Sequence, residues 1–236
     1  MKRSEINSIL RESIDFFKRE NFNLPPFAWT RPEEWREAGG RAREIIEGGL
    51  GWDVTDFNQG DFSKTGILLF TLRNGTPKPG SGEGEKASLK TSLKTYCEKI
   101  IHMRQDQTCP THYHISKMED IINRSGETLC FKLHMAGEDG RSYSEEGFTI
   151  SRDGVETACE AGEIMKLGPG ESITLPPYLY HSFWAEGGDV LVGEVSRVND
   201  DETDNFFYVD IPRFTEIEED EEPLYLLCHE LKRFLD

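Results

Sequence analysis

The chain is poor in the features that mark several large functional classes. Positive charge is scarce: 27 Lys and Arg stand against 44 Asp and Glu in 236 residues, a formal charge of −17. A field of that sign repels phosphate backbones and anionic lipid headgroups, so neither nucleic acid nor membrane is expected as a partner, and a neutral small molecule fits best. No apolar run is long enough to span a bilayer, and the first residues lack the apolar stretch and small-residue cleavage site of a signal peptide, so a cytoplasmic protein is expected. Cysteine is sparse and unpatterned. Cys97, Cys109, Cys130, Cys159 and Cys228 are odd in number and never form C-x-x-C, which argues for scattered reduced thiols and against a disulfide framework or a nucleophile motif.

What the chain does carry is concentrated between Thr111 and Gly126, in THYHISKMEDIINRSG. His112 and His114 are one residue apart, so on a strand both imidazoles leave the same face. Glu119 stands at odd spacing from the pair and is expected to reach back from beyond a turn. Two neutral imidazoles and a carboxylate suit a divalent transition metal, and His181, in GESITLPPYLYHSFW, is the expected fourth ligand. An H-x-H pair alone is readily a solvated surface pair, and a lone His181 beside aromatics a satisfied core residue. Four ligands in this order, with turn residues at matching places, favour a metal centre.

The two segments resemble the paired motifs of the cupin superfamily, the first supplying His112, His114 and Glu119 and the second His181. Gly126, Gly170 and Pro176 match as well. The departures are Asp106 where the family has Gly, Tyr178 where it often has Gly, and Ala185 where it has Asn. The rest of the pattern agrees with a barrel. Short alternating runs punctuated by Gly and Pro, among them Ile67–Leu72, Phe148–Ser151 and Ile173–Leu175, describe an all-β jelly roll rather than a βαβ fold. Residues 1–49 read as a helical extension, 50–212 as the barrel, and 213–236 as an acidic tail closing in a helix. In the extension, Ser4 is a candidate cap for a helix to about Glu20, and a second helix is expected from Thr30 to Glu47. Pro77 to Glu85, rich in Gly and Pro, reads as an exposed loop.

Two strands carry charge on an apolar face. Tyr96–Arg104 puts Lys99 with Ile101 and Met103, and Val190–Val198 puts Glu194 with Val190 and Val192. An ammonium among apolar side chains needs a carboxylate, a ligand or water, which makes Lys99 a candidate for substrate binding or proton transfer, with a lysine snorkelling to the rim as the alternative. Burial would raise the Glu194 carboxyl toward the range of a general base; a salt-bridged rim residue is the alternative. His102 is read as structural.

A narrower resemblance covers most of the chain. Tyr96–Ile100, His112–His114, Lys117–Arg124, Ile173–Pro177, Tyr180–Phe183, Val192–Ser196 and Val198–Asp201 are similar to the bacterial D-lyxose isomerases, as are Leu24–Ala28, Leu50–Thr55 and the segment from Arg213 to Asp220. The main departure is the Gly-rich and Lys-rich stretch from Lys78 to Thr95. The resemblance implies a manganese-dependent aldose–ketose isomerase for D-lyxose and D-xylulose, with D-mannose and D-fructose as second substrates, assembled as a homodimer. The residues suit such chemistry, which moves a proton between adjacent carbons through an enediolate. His112, His114, Glu119 and His181 hold the Mn2+ or another divalent ion, Glu119 also touching substrate. Glu194 shuttles the carbon proton and Lys99 orients or protonates oxygen. Asp204 and Glu216 are alternative bases or hydroxyl-gripping groups, and Arg213, paired with one of them, binds substrate. A cupin dioxygenase and a non-catalytic sugar-binding cupin are the competing expectations.

Overall fold

The computed structural model describes residues 1–75 and 94–234. The loop expected over Pro77 to Glu85 lies outside them, as does nearly all of the Lys78 to Thr95 stretch.

Eleven strands, β1 (Gly51–Thr55), β2 (Ile67–Arg73), β3 (Tyr96–Met103), β4 (Thr108–Tyr113), β5 (Glu119–Met135), β6 (Phe148–Arg152), β7 (Val155–Cys159), β8 (Ile164–Leu167), β9 (Ser172–Leu175), β10 (Leu179–Arg197) and β11 (Phe206–Phe207), form the barrel described here. β5 and β10 are its spine. They pair antiparallel along nearly their whole lengths and change outer neighbours midway. The second half of β10 pairs with β3 and the first half of β5 with β9, giving the order β1-β2-β3-β10-β5-β9-β6-β7. The first half of β10 pairs with β4, and the second half of β5 with β8. One pair of bent strands thus belongs to both layers of a jelly roll.

Both spine strands carry glycine at mid-length, Gly126 in β5 and Gly187–Gly188 in β10, a residue that commonly interrupts a strand. Here the glycines are instead where the strands bend. The ladder shifts register between Glu186 and Val190, opposite Gly126. Gly126 has φ +94°, and a Cβ there would lie 2.2 Å from the Asp189 carbonyl oxygen, so only glycine lets the strands approach. The two positions where the cupin pattern loses its glycine keep the glycine conformation: Asp106 has φ +60° and Tyr178 φ +62°. The turn geometry of both motifs therefore survives side-chain replacement, at some conformational cost.

The barrel interior is apolar at one end, where Met103, Leu129, Phe131, Phe183 and Val190 meet, and polar at the other. A second apolar cluster lies outside it. Helix α1 (Arg3–Arg19) lays Ile6, Ile9, Leu10, Phe16 and Phe17 on Trp52, Leu68, Phe70, Ile100 and Leu191 of the outer sheet face. Each such side chain stabilises the fold by roughly 1.5–3 kcal/mol of transferred area. His102 is structural, as expected: it stacks on Phe16, and its ring nitrogens contact Ser13 Oγ (2.8 Å) and Asp189 (3.1 Å).

Three local expectations are corrected. Ser4 does not cap α1; it lies inside the helix, where its backbone N–H and hydroxyl donate to Asp220 of the tail. The helix expected to run to Glu47 is broken into α2 (Glu34–Ala38), a 3-10 turn and α3 (Arg43–Glu47), because Gly39–Gly40 supports no continuous helix and Gly39 takes φ +47°. The closing helix is a 3-10 segment, Cys228–Phe234, preceded by an irregular tail.

The tail is zipped to α1. The buried Arg3 guanidinium forms ion pairs with Glu219 (2.6 Å) and Glu230 (2.7 Å), and the Asn7 side-chain amide donates to Glu221 and to the Glu222 carbonyl. The acidic run is therefore an anchored strap whose carboxylates still face solvent.

Candidate active site

The polar end of the barrel holds the four expected ligands together. His112 on β4 faces His181 on β10 in register, with Nε2 atoms 3.1 Å apart. Glu119 opens β5, and its Oε1 lies 3.1 Å from His181 Nε2 and 3.7 Å from His114 Nε2. All four side chains are buried.

The protonation of these rings follows from their backs. Nδ1 of His112, His114 and His181 lies 2.8, 2.5 and 2.9 Å from the carbonyls of Pro110, Asp204 and Leu179. A carbonyl only accepts, so each Nδ1 carries a hydrogen and each Nε2 is turned to the shared centre. Burial, with neighbouring His and Lys charge, pushes His112 well below the usual imidazole range and His114 down to about 4, so both are neutral at pH 7. His114 Nε2 has no hydrogen-bond partner, and the Nε2 atoms of His112 and His181 face each other. Converging lone pairs with a carboxylate beside them repel one another unless a cation sits between them. The donor set therefore fits a divalent transition metal, oriented by backbone acceptors in the outer layer.

Beside this centre runs a chain of alternating charge. Lys117 Nζ is 2.7 Å from Glu119 Oε2 and 3.1 Å from Glu194 Oε1, and Lys99 Nζ is 3.0 Å from Glu194 Oε1. Asn199 Oδ1 accepts from both ammoniums, at 2.8 Å from Lys99 and 3.3 Å from Lys117. Lys99 and Glu194 face each other across β3 and β10, each on the inward face that strand alternation gives it. The expected raised carboxyl is not found. Burial does oppose ionisation of Glu194, but Lys117 and Lys99 outweigh it and hold the carboxyl below its usual range.

The opposite wall holds Arg213, Asp201, Asn205, Phe57 and Phe207, closing a cavity of ≈ 450 Å³ including its mouth. Arg213 does not pair with Asp204 or Glu216. Its guanidinium binds Asp53 (2.6 Å) and Asp201 (3.1 Å), which leaves Nη1 buried without a partner. Asn205 Oδ1 is likewise unpartnered.

Two expected site residues fall elsewhere. The Asp204 carboxylate accepts the backbone N–H groups of Ile115, Ser116 and Lys117 (2.8–2.9 Å), while its carbonyl orients His114, so it builds the turn between the ligands and has no oxygen to spare as a base. Glu216 is exposed on the tail beside Met1, outside the cavity. Lys117 and Asn199 were not singled out by residue chemistry. Lys117 was legible: it stands two residues before Glu119, on the same face of an extended chain. Asn199 lay in a run that reads as an ordinary polar loop.

Fold and site together define a cupin-type jelly roll carrying a three-histidine, one-carboxylate cluster beside a lysine–glutamate chain. The family model for D-lyxose isomerase matches residues 1–231. A D-lyxose/D-mannose isomerase of Serratia proteamaculans is 46% identical over 239 residues, covering 100% of both chains, and one of Escherichia coli O157:H7 is 44% identical over 99% of this chain and 100% of its own. Among solved structures, the L-ribose isomerase of Acinetobacter sp. DL28 in complex with L-ribose superposes with a TM-score of 0.57 at 13% identity, covering 92% of this chain and 98% of that one. That likeness concerns the fold alone. The chain belongs to the D-lyxose isomerase family, a family of sugar isomerases.

Proposed function

We propose that the protein is a metal-dependent aldose–ketose isomerase that interconverts D-lyxose with D-xylulose and D-mannose with D-fructose through an enediol. The observation that carries the reading is the junction of the histidine cluster with the Lys99–Glu194–Lys117–Glu119 chain in one cavity. Both sugars appear in the names of the relatives at 46% and 44% identity. They are compatible with one pocket, because the D-mannopyranose ring is D-lyxopyranose with one added hydroxymethyl group.

A divalent cation held by His112, His114, Glu119 and His181, manganese in this reading, would supply Lewis-acid stabilisation of the negative charge that develops on the sugar oxygens. Glu194 takes the proton from one carbon and returns it to its neighbour. A sugar oxygen that accepts from Lys117 draws that ammonium away from Glu194, which strengthens the carboxylate as a base at the moment it is needed. Lys99 and Ser196 Oγ, 3.1 Å from Glu194 Oε1, keep the carboxylate aimed into the cavity. Arg213 Nη1 and Asn205 Oδ1 offer a free donor and a free acceptor to hydroxyls at the far end. All five cysteines are free thiols, which suits the cytoplasm, and we place the working unit there as a homodimer, readable in solution as twice 27.0 kDa.

The test is chelator-stripped protein, manganese added back, and a panel of pentoses and hexoses followed by product analysis. D-Xylulose should form from D-lyxose only after metal is restored. Undiminished turnover by the stripped protein rejects the metal assignment, and no turnover of any sugar by the loaded protein rejects the isomerase.

A further inference from the structure

Behind Arg213, outside the cavity, lies a second cluster with metal-ligand chemistry. Asp53 on β1, Cys228 and His229 bring a carboxylate oxygen, a thiol sulfur and an imidazole nitrogen within 4.8 Å of one another. The fold makes this meeting: Trp52 bridges Leu227 in parallel, so the residues that follow, Asp53 and Cys228, stand side by side.

Two of the three groups have unmet bonding capacity. Asp53 is 1% exposed, and while its Oδ2 binds Arg213, its Oδ1 is buried without a partner. His229 Nδ1 is also buried and unpartnered. A buried carboxylate oxygen or imidazole nitrogen left unpaired costs free energy, and two at one spot, both beside a buried thiol, point to a missing ligand. Sulfur, nitrogen and oxygen donors together match the mixed set of a zinc-type cation and not that of magnesium or calcium. The charges agree. Asp53 and Asp201 against Arg213 leave one negative charge. A divalent cation with Cys228 as thiolate neutralises the group, the thiol proton passing to solvent on binding.

We propose that Asp53, Cys228 and His229 form a second divalent-cation site, selective for zinc-type ions and distinct from the histidine cluster. Asp53 bridges it to the cavity, with Oδ1 on the cation and Oδ2 on Arg213. The site thereby ties the end of the chain to β1 and holds the Arg213 guanidinium in place. It stands independently of the sugar-isomerase reading, because its donors do not line the cavity.

Cobalt(II) tests it, since only this site contains sulfur. Titrating the stripped full-length protein should show two equivalents bound per chain and a thiolate-to-cobalt charge-transfer band in the near ultraviolet. C228S should lose the band and one equivalent, H229Q should weaken that equivalent while remaining folded, and H181A should keep the band. The thermal midpoint of the unaltered chain should rise with the thiolate-bound equivalent, and this rise should be lost in C228S. One equivalent with no thiolate band in the unaltered chain overturns the site. So does a second equivalent that survives unchanged in both C228S and H229Q.

Discussion

Where the histidines meet the lysines, nearly every functional group stands on or beside a strand whose neighbours are set by backbone ladders: His112 opposite His181, Lys99 opposite Glu194, Glu119 opposite Ser196. The facing wall is assembled otherwise. Asp201 and Asn205 come from the loop after β10, and Arg213 comes from a tail fastened to α1 by Arg3 and Asn7. Ladders position groups rigidly because many hydrogen bonds must break together. A strap held by ion pairs across more than two hundred residues of sequence is the looser mount. The ladder wall is therefore suited to proton transfer, which tolerates little misplacement, and the strap wall to gripping hydroxyls.

That division can be broken most sharply at Glu194. E194Q keeps the size and one oxygen to accept from Lys99 but cannot take a proton, so turnover should fall by about 10²–10⁴-fold with bound manganese unchanged. Intact turnover would remove the ladder wall from the chemistry. Next in size is D204A, which frees three backbone N–H groups and loosens the turn between His114 and Glu119. Metal affinity should fall by roughly 10–100-fold, the loss typical of an outer-layer partner, while E194Q leaves it untouched. If metal binding is unaltered, Asp204 is only a loop residue.

On the strap wall, R213Q should raise KM by about tenfold, the value of one good hydrogen bond to a charged donor, and change kcat less. A fall in kcat with constant KM would place Arg213 at the reacting carbons and erase the distinction between the walls. The smallest effect is acid stability. The Asp201 carboxyl is held below its ordinary value because Arg213, Lys99 and Lys117 outweigh the opposing effect of burial. A depressed carboxyl contributes stability that is present above its unfolded value and lost as pH falls toward the folded one. Unfolding free energy should therefore drop below about pH 5 in the native chain, and by a smaller amount in D201N. Parallel curves in chemical denaturation would show that Asp201 carries no such linkage.

Much of the ladder wall was readable before any coordinates. Period-two alternation put Lys99 with Ile101 and Met103, and Glu194 with Val192, and each side chain does point into the barrel. The meeting of His112, His114, Glu119 and His181 followed from spacing and residue type. What failed was the electrostatics and the tail. A carboxylate among valines suggested a raised carboxyl, but a second ammonium, Lys117, arrives from the turn before β5 and, with Lys99, reverses the sign. Asp204 and Glu216 could not be told apart as acids on loops, although one is consumed by amide hydrogens and the other faces solvent.

The order of side chains along a strand is local, because successive residues alternate faces whatever the strand packs against. The amino-acid sequence alone therefore determined the barrel class, which three histidines and one glutamate would cluster, and the inward aim of Lys99 and Glu194. Which strand lies next to which, and where the tail is fastened, depends on contacts between residues far apart in the chain. Only the tertiary structure could decide that Lys117 sits between Glu119 and Glu194, that Asp53 and Asp201 hold Arg213, and that Cys228 and His229 end beside β1.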